Sequence, residues 1–169
     1  VIAITGSNAK STVTDLVGRM FFDAGLHVCV GGNLGTPALS LLVQDADVYV
    51  LELSSFQLET TYSLKAQVAT ILNISEDHLD RYDHMMEYRR AKYRIFHGCK
   101  KAVLNRDDSL ACPLLPLTIP TVTFGLSAPE QDEFGLACSS DEIFLAFADQ
   151  LMMPQKDLRI AGLHNAMNA

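Results

Sequence analysis

The segment Thr5-Gly6-Ser7-Asn8-Ala9-Lys10-Ser11-Thr12 joins an apolar run, Val1–Ile4, to a helical pattern that begins at Ser11. Backbone N–H groups at a helix start point outward, and the helix dipole favours an anion there. Lys10 is placed to reach the β- and γ-phosphates of a bound nucleotide, and the Ser11 hydroxyl to ligate Mg²⁺. The general pattern G-x-x-x-x-G-K-[ST] is not met, because its two glycines would fall on Ile4 and Ala9. What stands here is the shorter G-x-x-A-K-S, and a Cβ on Ala9 resists positive φ and close backbone approach to phosphate. Two readings stay open: a phosphate-binding loop, or a small-residue turn capping a helix.

Three further residues carry possible chemistry. Glu52 ends the apolar strand pattern Asp47–Leu53, and ligands of open parallel sheets bind beyond the carboxyl ends of strands. It is either a hard-oxygen Mg²⁺ ligand or a strand-end acid facing solvent. His78 lies in the polar run Asn73–Tyr82 after the next strand, where it could bind a metal or a substrate carboxylate, or be structural. Lys92 shares a helical stripe with Tyr88, Ile95 and Phe96. A lysine buried in such a stripe needs a partner, and desolvation lowers its pKa towards the neutral amine that carbamylation requires. A snorkelling Lys92 with its head in water is the other reading.

These residues need a scaffold that brings several strand ends together. Strand patterns fall at Val1–Ile4, His27–Val30, Asp47–Leu53, Ala66–Asn73 and Lys101–Asn105, with helical stretches at Ser11–Ala24, Pro37–Leu42 and His84–His97. That alternation predicts an α/β fold: a mostly parallel sheet with helices on both faces. After Asn105, prolines 113, 116, 120 and 129 break the helical period. Strand-like segments Thr121–Phe124, Ile143–Phe147 and Asp157–Ile160 then predict a small antiparallel sheet.

The 169 residues suit one domain with a real core. A net charge of -7 argues against a nucleic-acid partner, and means that a polyanion must be held by a local site. No apolar run approaches the roughly 20 residues that span a bilayer, so membrane insertion is not expected. Four widely spaced cysteines with no CxxC pair fit reduced thiols in a cytoplasmic protein. The chain opens on a strand without an initiator Met and stops in a helical pattern, which reads as a piece of a longer protein.

With these residues in place, the chain resembles the Mur ligases, ATP-dependent amide-forming enzymes of peptidoglycan synthesis. The family loop T-G-[ST]-x-G-K-[ST] is matched by Thr5–Ser11 except at Ala9. Glu52-Leu53-Ser54-Ser55-Phe56-Gln57-Leu58, Gly31-Gly32-Asn33-Leu34-Gly35 and Asn73–Tyr82 resemble the branch that adds D-glutamate to UDP-N-acetylmuramoyl-L-alanine. Resemblance returns at Gly162-Leu163-His164-Asn165 and Asn168, whereas 109–159 carries little signal.

The resemblance implies specific roles. Gly6, Ser7, Asn8, Ala9, Lys10, Ser11 and Thr12 would cradle ATP, with Ser11 and Glu52 at one Mg²⁺. His78 and a carbamylated Lys92 would serve a second Mg²⁺. Asn33, Ser54 and Gln57 would lie along the muramoyl-peptide substrate, and Asn165 and Asn168 near the adenine. Lys10, His78 and Lys92 would be the catalytic set, acting through an acyl phosphate. The family's uridine-nucleotide-binding domain and its C-terminal domain would flank these residues in a monomeric protein, and this chain alone would have no ligase activity.

Overall fold

The computed structural model describes residues 1–77, 81–113, 117–159 and 162–169. Strands are β1 (Ile2–Thr5), β2 (Val28–Gly32), β3 (Val48–Glu52), β4 (Val68–Ile71), β5 (Lys101–Asn105), β6 (Thr121–Phe124), β7 (Glu133–Ser139), β8 (Glu142–Phe147) and β9 (Gln150–Pro154). Helices are α1 (Lys10–Asp23), α2 (Ser55–Thr60), α3 (Met85–Tyr93) and α4 (Leu163–Asn168), with 3₁₀ turns at Ala38–Val43, Arg94–Phe96 and Gln155–Asp157. Among the described residues the strands form one sheet in the order β2-β3-β1-β4-β5-β6-β7-β8-β9.

Pairing is parallel from β2 through to β7 and antiparallel from β7 to β9. The expected antiparallel strands are therefore present as a continuation of the main sheet, joined to it by β6 and β7. Strand β1 lies between β3 and β4, with Ile4 opposite both Glu52 and Thr70. Three strand ends thus meet where the phosphate loop leaves β1.

Alternate side chains of the central strands serve two cores, as the period-2 geometry of a strand requires. On one face Ile4, Val50 and Leu72 pack with Val13 of α1. On the other, Ala3, Leu51, Ala69 and Ile71 pack with Leu58 of α2, Tyr88 and Ala91 of α3, and Ile95. Each fully buried Leu or Ile contributes roughly 2 kcal/mol of hydrophobic stabilisation. Helix α1 approaches β2 closely because Gly18 has no side chain: a Cβ there would stand 2.5 Å from Val30 Cγ2.

The strand expected at Asp157–Ile160 is corrected. Pro154 closes β9, and Leu158 N–H bonds back to Gln155 C=O at 3.1 Å, so Asp157 ends a 3₁₀ turn. Ile160 lies outside the described residues. The helix expected over Pro37–Leu42 is a 3₁₀ turn, and that over His84–His97 is α-helical to Tyr93 and 3₁₀ from Arg94 to Phe96. Strands β7 and β9 and the short helix α2 were not expected from the pattern.

Candidate functional site

The loop after β1 is fastened to the exit of β4. Ser7 N–H donates to Asn73 C=O at 2.9 Å, and the Asn73 side chain pairs with both backbone polar groups of Asn8, at 2.8 and 3.2 Å. Ser75 N–H donates to Ser7 Oγ at 3.0 Å, and Tyr88 Oη lies 3.0 Å from the same oxygen. Ala9 then enters α1 with φ 62° and ψ 6°, the left-handed region, and no side chain caps the helix. Holding alanine there costs about 1–2 kcal/mol. Ala9 supplies no side-chain cap to the first-turn N–H groups, an arrangement that suits an anion at this helix start. Lys10 Nζ folds back over the loop to Ser7 C=O at 3.0 Å.

Glu52 does not face solvent. It is 2% exposed, Oε2 accepts the Ser11 hydroxyl at 2.8 Å, and Oε1 accepts Asn33 Nδ2 at 2.9 Å. Asn33 is brought there by Gly32, whose φ of 120° lets Asn33 N–H reach Glu52 C=O at 2.8 Å. A Cβ on Gly32 would stand 2.1 Å from that carbonyl oxygen, so glycine is required. A cavity of about 300 Å³ opens beside Ser11, Asp15, Gly31, Gly35 and Glu52. A slightly larger one, about 350 Å³, is lined by a separate set including Glu142, Ile143 and Lys156. Only the smaller combines a helix start, a hydroxyl and a buried carboxylate, so it is the chemically informative one.

The snorkelling alternative for Lys92 is overturned. Its side chain is 2% exposed, and Nζ donates to Gly6 C=O at 2.8 Å and Thr5 Oγ1 at 3.3 Å. The same nitrogen lies 4.6 Å from the centre of the Tyr88 ring, a cation–π distance. Burial, with the neighbouring Lys10 charge adding to it, lowers the Lys92 pKa from 10.5 to about 7, against a partial opposing pull from Asp77. The shift favours the neutral amine, the form that is nucleophilic.

The expected site residues separate into groups. Gly6, Ser7, Asn8, Ala9, Lys10, Ser11 and Thr12 form the loop and first turn beside Glu52, Asn33 and Lys92. His78 lies outside the described residues. Ser54 and Gln57 are engaged in a capping box on α2: Gln57 N–H donates to Ser54 Oγ at 3.2 Å, and Ser54 N–H to Gln57 Oε1 at 2.9 Å. The spacing S-x-x-Q could have announced that helix. Asn165 and Asn168 lie on α4, beyond the antiparallel strands. Asn73 and Ser75 hold the loop, and nothing in their types marks them in the sequence as partners across 65 residues or more.

The residues present suit a hard divalent cation at Ser11 and Glu52, where a hydroxyl and a buried carboxylate already converge. Among the described residues no group of three or more His, Cys, Asp or Glu could hold a metal ion. Water or the oxygens of a bound phosphate would complete the shell of such a cation. All four cysteines are free, and among the described residues no helix is long and apolar enough to cross a membrane.

Comparison with known proteins decides the family. The model of the Mur ligase middle domain matches residues 4–169. The chain belongs to the Mur ligase middle-domain family. It is 57% identical over all 169 residues to the UDP-N-acetylmuramoylalanine–D-glutamate ligase of Pseudomonas savastanoi pv. phaseolicola, covering 38% of that protein. It is 55% identical, with the same coverage, to the enzyme of that name from Pseudomonas aeruginosa. The chain thus spans little more than a third of the length of these relatives.

Solved structures share the Mur ligase middle-domain fold. The UDP-N-acetylmuramate–alanine ligase of Thermotoga maritima superposes with a TM-score of 0.67 at 24% identity, over 98% of this chain and 38% of that one. Escherichia coli FolC in complex with ADP superposes with a TM-score of 0.65 at 17% identity, over 99% and 51%. At these identities the likeness establishes the fold.

Proposed function

We propose that this chain is the ATP- and Mg²⁺-binding central domain of a ligase that joins D-glutamate to UDP-N-acetylmuramoyl-L-alanine. The observation that carries the reading is the Ser11–Glu52 contact at 2.8 Å, set beside the uncapped start of α1 and Lys10. A hydroxyl, a buried acid, a lysine and a row of helix-start amides together suit a metal-bound triphosphate better than any other common ligand.

In this reading the amides of Gly6 to Thr12 and the Lys10 ammonium hold the phosphates, Ser11 and Glu52 hold one Mg²⁺, and His78 with a carbamylated Lys92 holds a second. Bound Mg²⁺ supplies charge neutralisation on the phosphate oxygens. The carbamate forms when the neutral Lys92 amine attacks the carbon of CO₂ and releases a proton, replacing a buried cation by an anionic oxygen donor. Asn33, Ser54 and Gln57 line the muramoyl-peptide side, where the capping box keeps Ser54 and Gln57 in fixed rotamers. Asn165 and Asn168 serve the adenine.

The substrate carboxylate oxygen attacks the γ-phosphorus, and the bond to the ADP oxygen breaks, giving an acyl phosphate. The D-glutamate amine then attacks the acyl carbon, phosphate departs with the bonding pair, and the nitrogen gives up its proton. Most of the catalysis is positioning and charge neutralisation by residues already held in place.

The uridine-nucleotide-binding and C-terminal domains of the family flank this domain in the complete, monomeric cytoplasmic ligase, so the 169 residues alone lack ligase activity. Ala9 in place of the loop glycine raises the alternative of a plain P-loop nucleotide-binding module or a catalytically silent homologue; the left-handed φ of 62° that Ala9 adopts, a conformation suited to glycine, favours the active ligase. The test is ADP release by the complete ligase with UDP-N-acetylmuramoyl-L-alanine and a panel of amino acids. D-glutamate should stand out, and this chain alone should turn over none of them. Selective release with another amino acid contradicts the substrate assignment, and efficient ligation by this chain alone contradicts the domain assignment.

A further inference from the structure

Within the phosphate loop Lys10 Nζ bonds Ser7 C=O, and the other ties of Ser7 and Asn8 run to other segments. Its helix starts at a left-handed Ala9 without a side-chain cap, so the shape of the loop depends on outside partners. Besides Tyr88 and Lys92 of α3, those partners are Asn73, bonded to both backbone polar groups of Asn8, and Ser75, bonded to Ser7 Oγ. Between them sits Ile74, whose N–H donates to Asp108 Oδ2 at 2.7 Å. The other Asp108 oxygen accepts the N–H groups of Leu110 and Ala111, at 2.9 and 3.2 Å.

The turn that carries Asp108 is itself anchored. Arg89 of α3 is 7% exposed and donates to the carbonyls of Ser109, Leu110 and Cys112 at 3.1, 2.9 and 2.8 Å. Asn105 Nδ2 adds a bond to Leu72 C=O at 2.7 Å. Helix α3, which supplies Lys92, is therefore tied to the loop directly through Gly6 and indirectly through this turn.

We propose that Asp108 is a positioning residue for the nucleotide site: by holding the Ile74 amide it sets the placement of Asn73 and Ser75, and through them Ser7 and Asn8. The proposal rests on the phosphate-loop assignment above. The chemistry requires a carboxylate, since three amides need two accepting oxygens. An asparagine would turn one of them into a donor facing an N–H.

The test is Asp108→Asn in the complete ligase, alone and with Asn73→Ala. Hydrogen exchange of the Ser7, Asn8 and Ile74 amides should quicken about tenfold, while the β1 and β4 amides keep their protection. The KM for ATP should rise about tenfold with kcat little changed, and the double variant should lose less than the product of the two single losses. Unchanged protection of those three amides would overturn the proposal whatever the nucleotide does, and so would a fully multiplicative loss. Failure of the unsubstituted ligase to bind ATP would instead overturn the phosphate-loop assignment on which the proposal rests.

Discussion

Lys92 Nζ lies 2.8 Å from the carbonyl oxygen of Gly6, so an ionisable side chain from α3 is buried against the backbone of the phosphate loop. The contact joins two segments 86 residues apart and explains how a lysine is tolerated at 2% exposure. It also has a consequence for pH. The folded-state pKa of about 7 lies below the ordinary 10.5, so between those values the unfolded chain binds the extra proton. Stability contributed through this group therefore rises as pH increases from about 7 towards 10.5 and is least below pH 7. Relative to Lys92→Met, the unsubstituted protein should gain stability across that window, by an amount on the order of 5 kcal/mol. Parallel stability–pH curves for the two proteins, from chemical denaturation, would contradict this.

Catalysis gives a second test of the same residue. Lys92→Ala should lower the ligation rate of the complete enzyme by at least about a hundredfold, as expected when a metal-holding group is lost. Added bicarbonate should not restore it, because no amine remains to be carbamylated. Full activity in this variant removes Lys92 from the mechanism.

Ala9 offers a backbone test. Ala9→Gly relieves a φ of 62° but loosens the unfolded chain, so a net gain of about 0.5–1 kcal/mol is expected. ATP affinity or turnover should also rise. Ala9→Val, with a branched Cβ at positive φ, should cost more than about 2 kcal/mol. Equal melting temperatures for all three proteins would show that the left-handed conformation carries no strain.

How much of this was legible beforehand depended on whether the signal was local. The βα alternation, the loop and the strand-end position of Glu52 are short-range patterns, and each is found where the pattern puts it. The stripe of Tyr88, Lys92 and Ile95 was also readable, but the helical period alone could not tell burial from snorkelling. The acceptors, Gly6 C=O and Thr5 Oγ1, arrive only through tertiary packing. The same holds for Asn73 and Ser75, and for the bond from Ile74 N–H to Asp108, which join segments across strand tips. Strands β7 and β9 were hidden because their burial is partial and their apolar residues do not alternate cleanly.

Ser54 separates structure from substrate binding. Ser54→Ala removes the capping-box acceptor of α2 and should cost about 1 kcal/mol. If Ser54 also lines the muramoyl-peptide site, the KM for that substrate should rise about tenfold more than the KM for ATP. Equal changes in the two constants would leave Ser54 with the helix cap alone.

The central claim is that a nucleotide's phosphates sit on the loop between β1 and α1 beside Glu52. Its most direct test is an amide chemical-shift titration of this chain with ADP and Mg²⁺. The largest shifts should fall on Asn8 to Thr12 and on Glu52, and Glu52→Gln should abolish the Mg²⁺-dependent part. Shifts centred instead on Glu142, Ile143 and Lys156, around the larger cavity, would contradict the account.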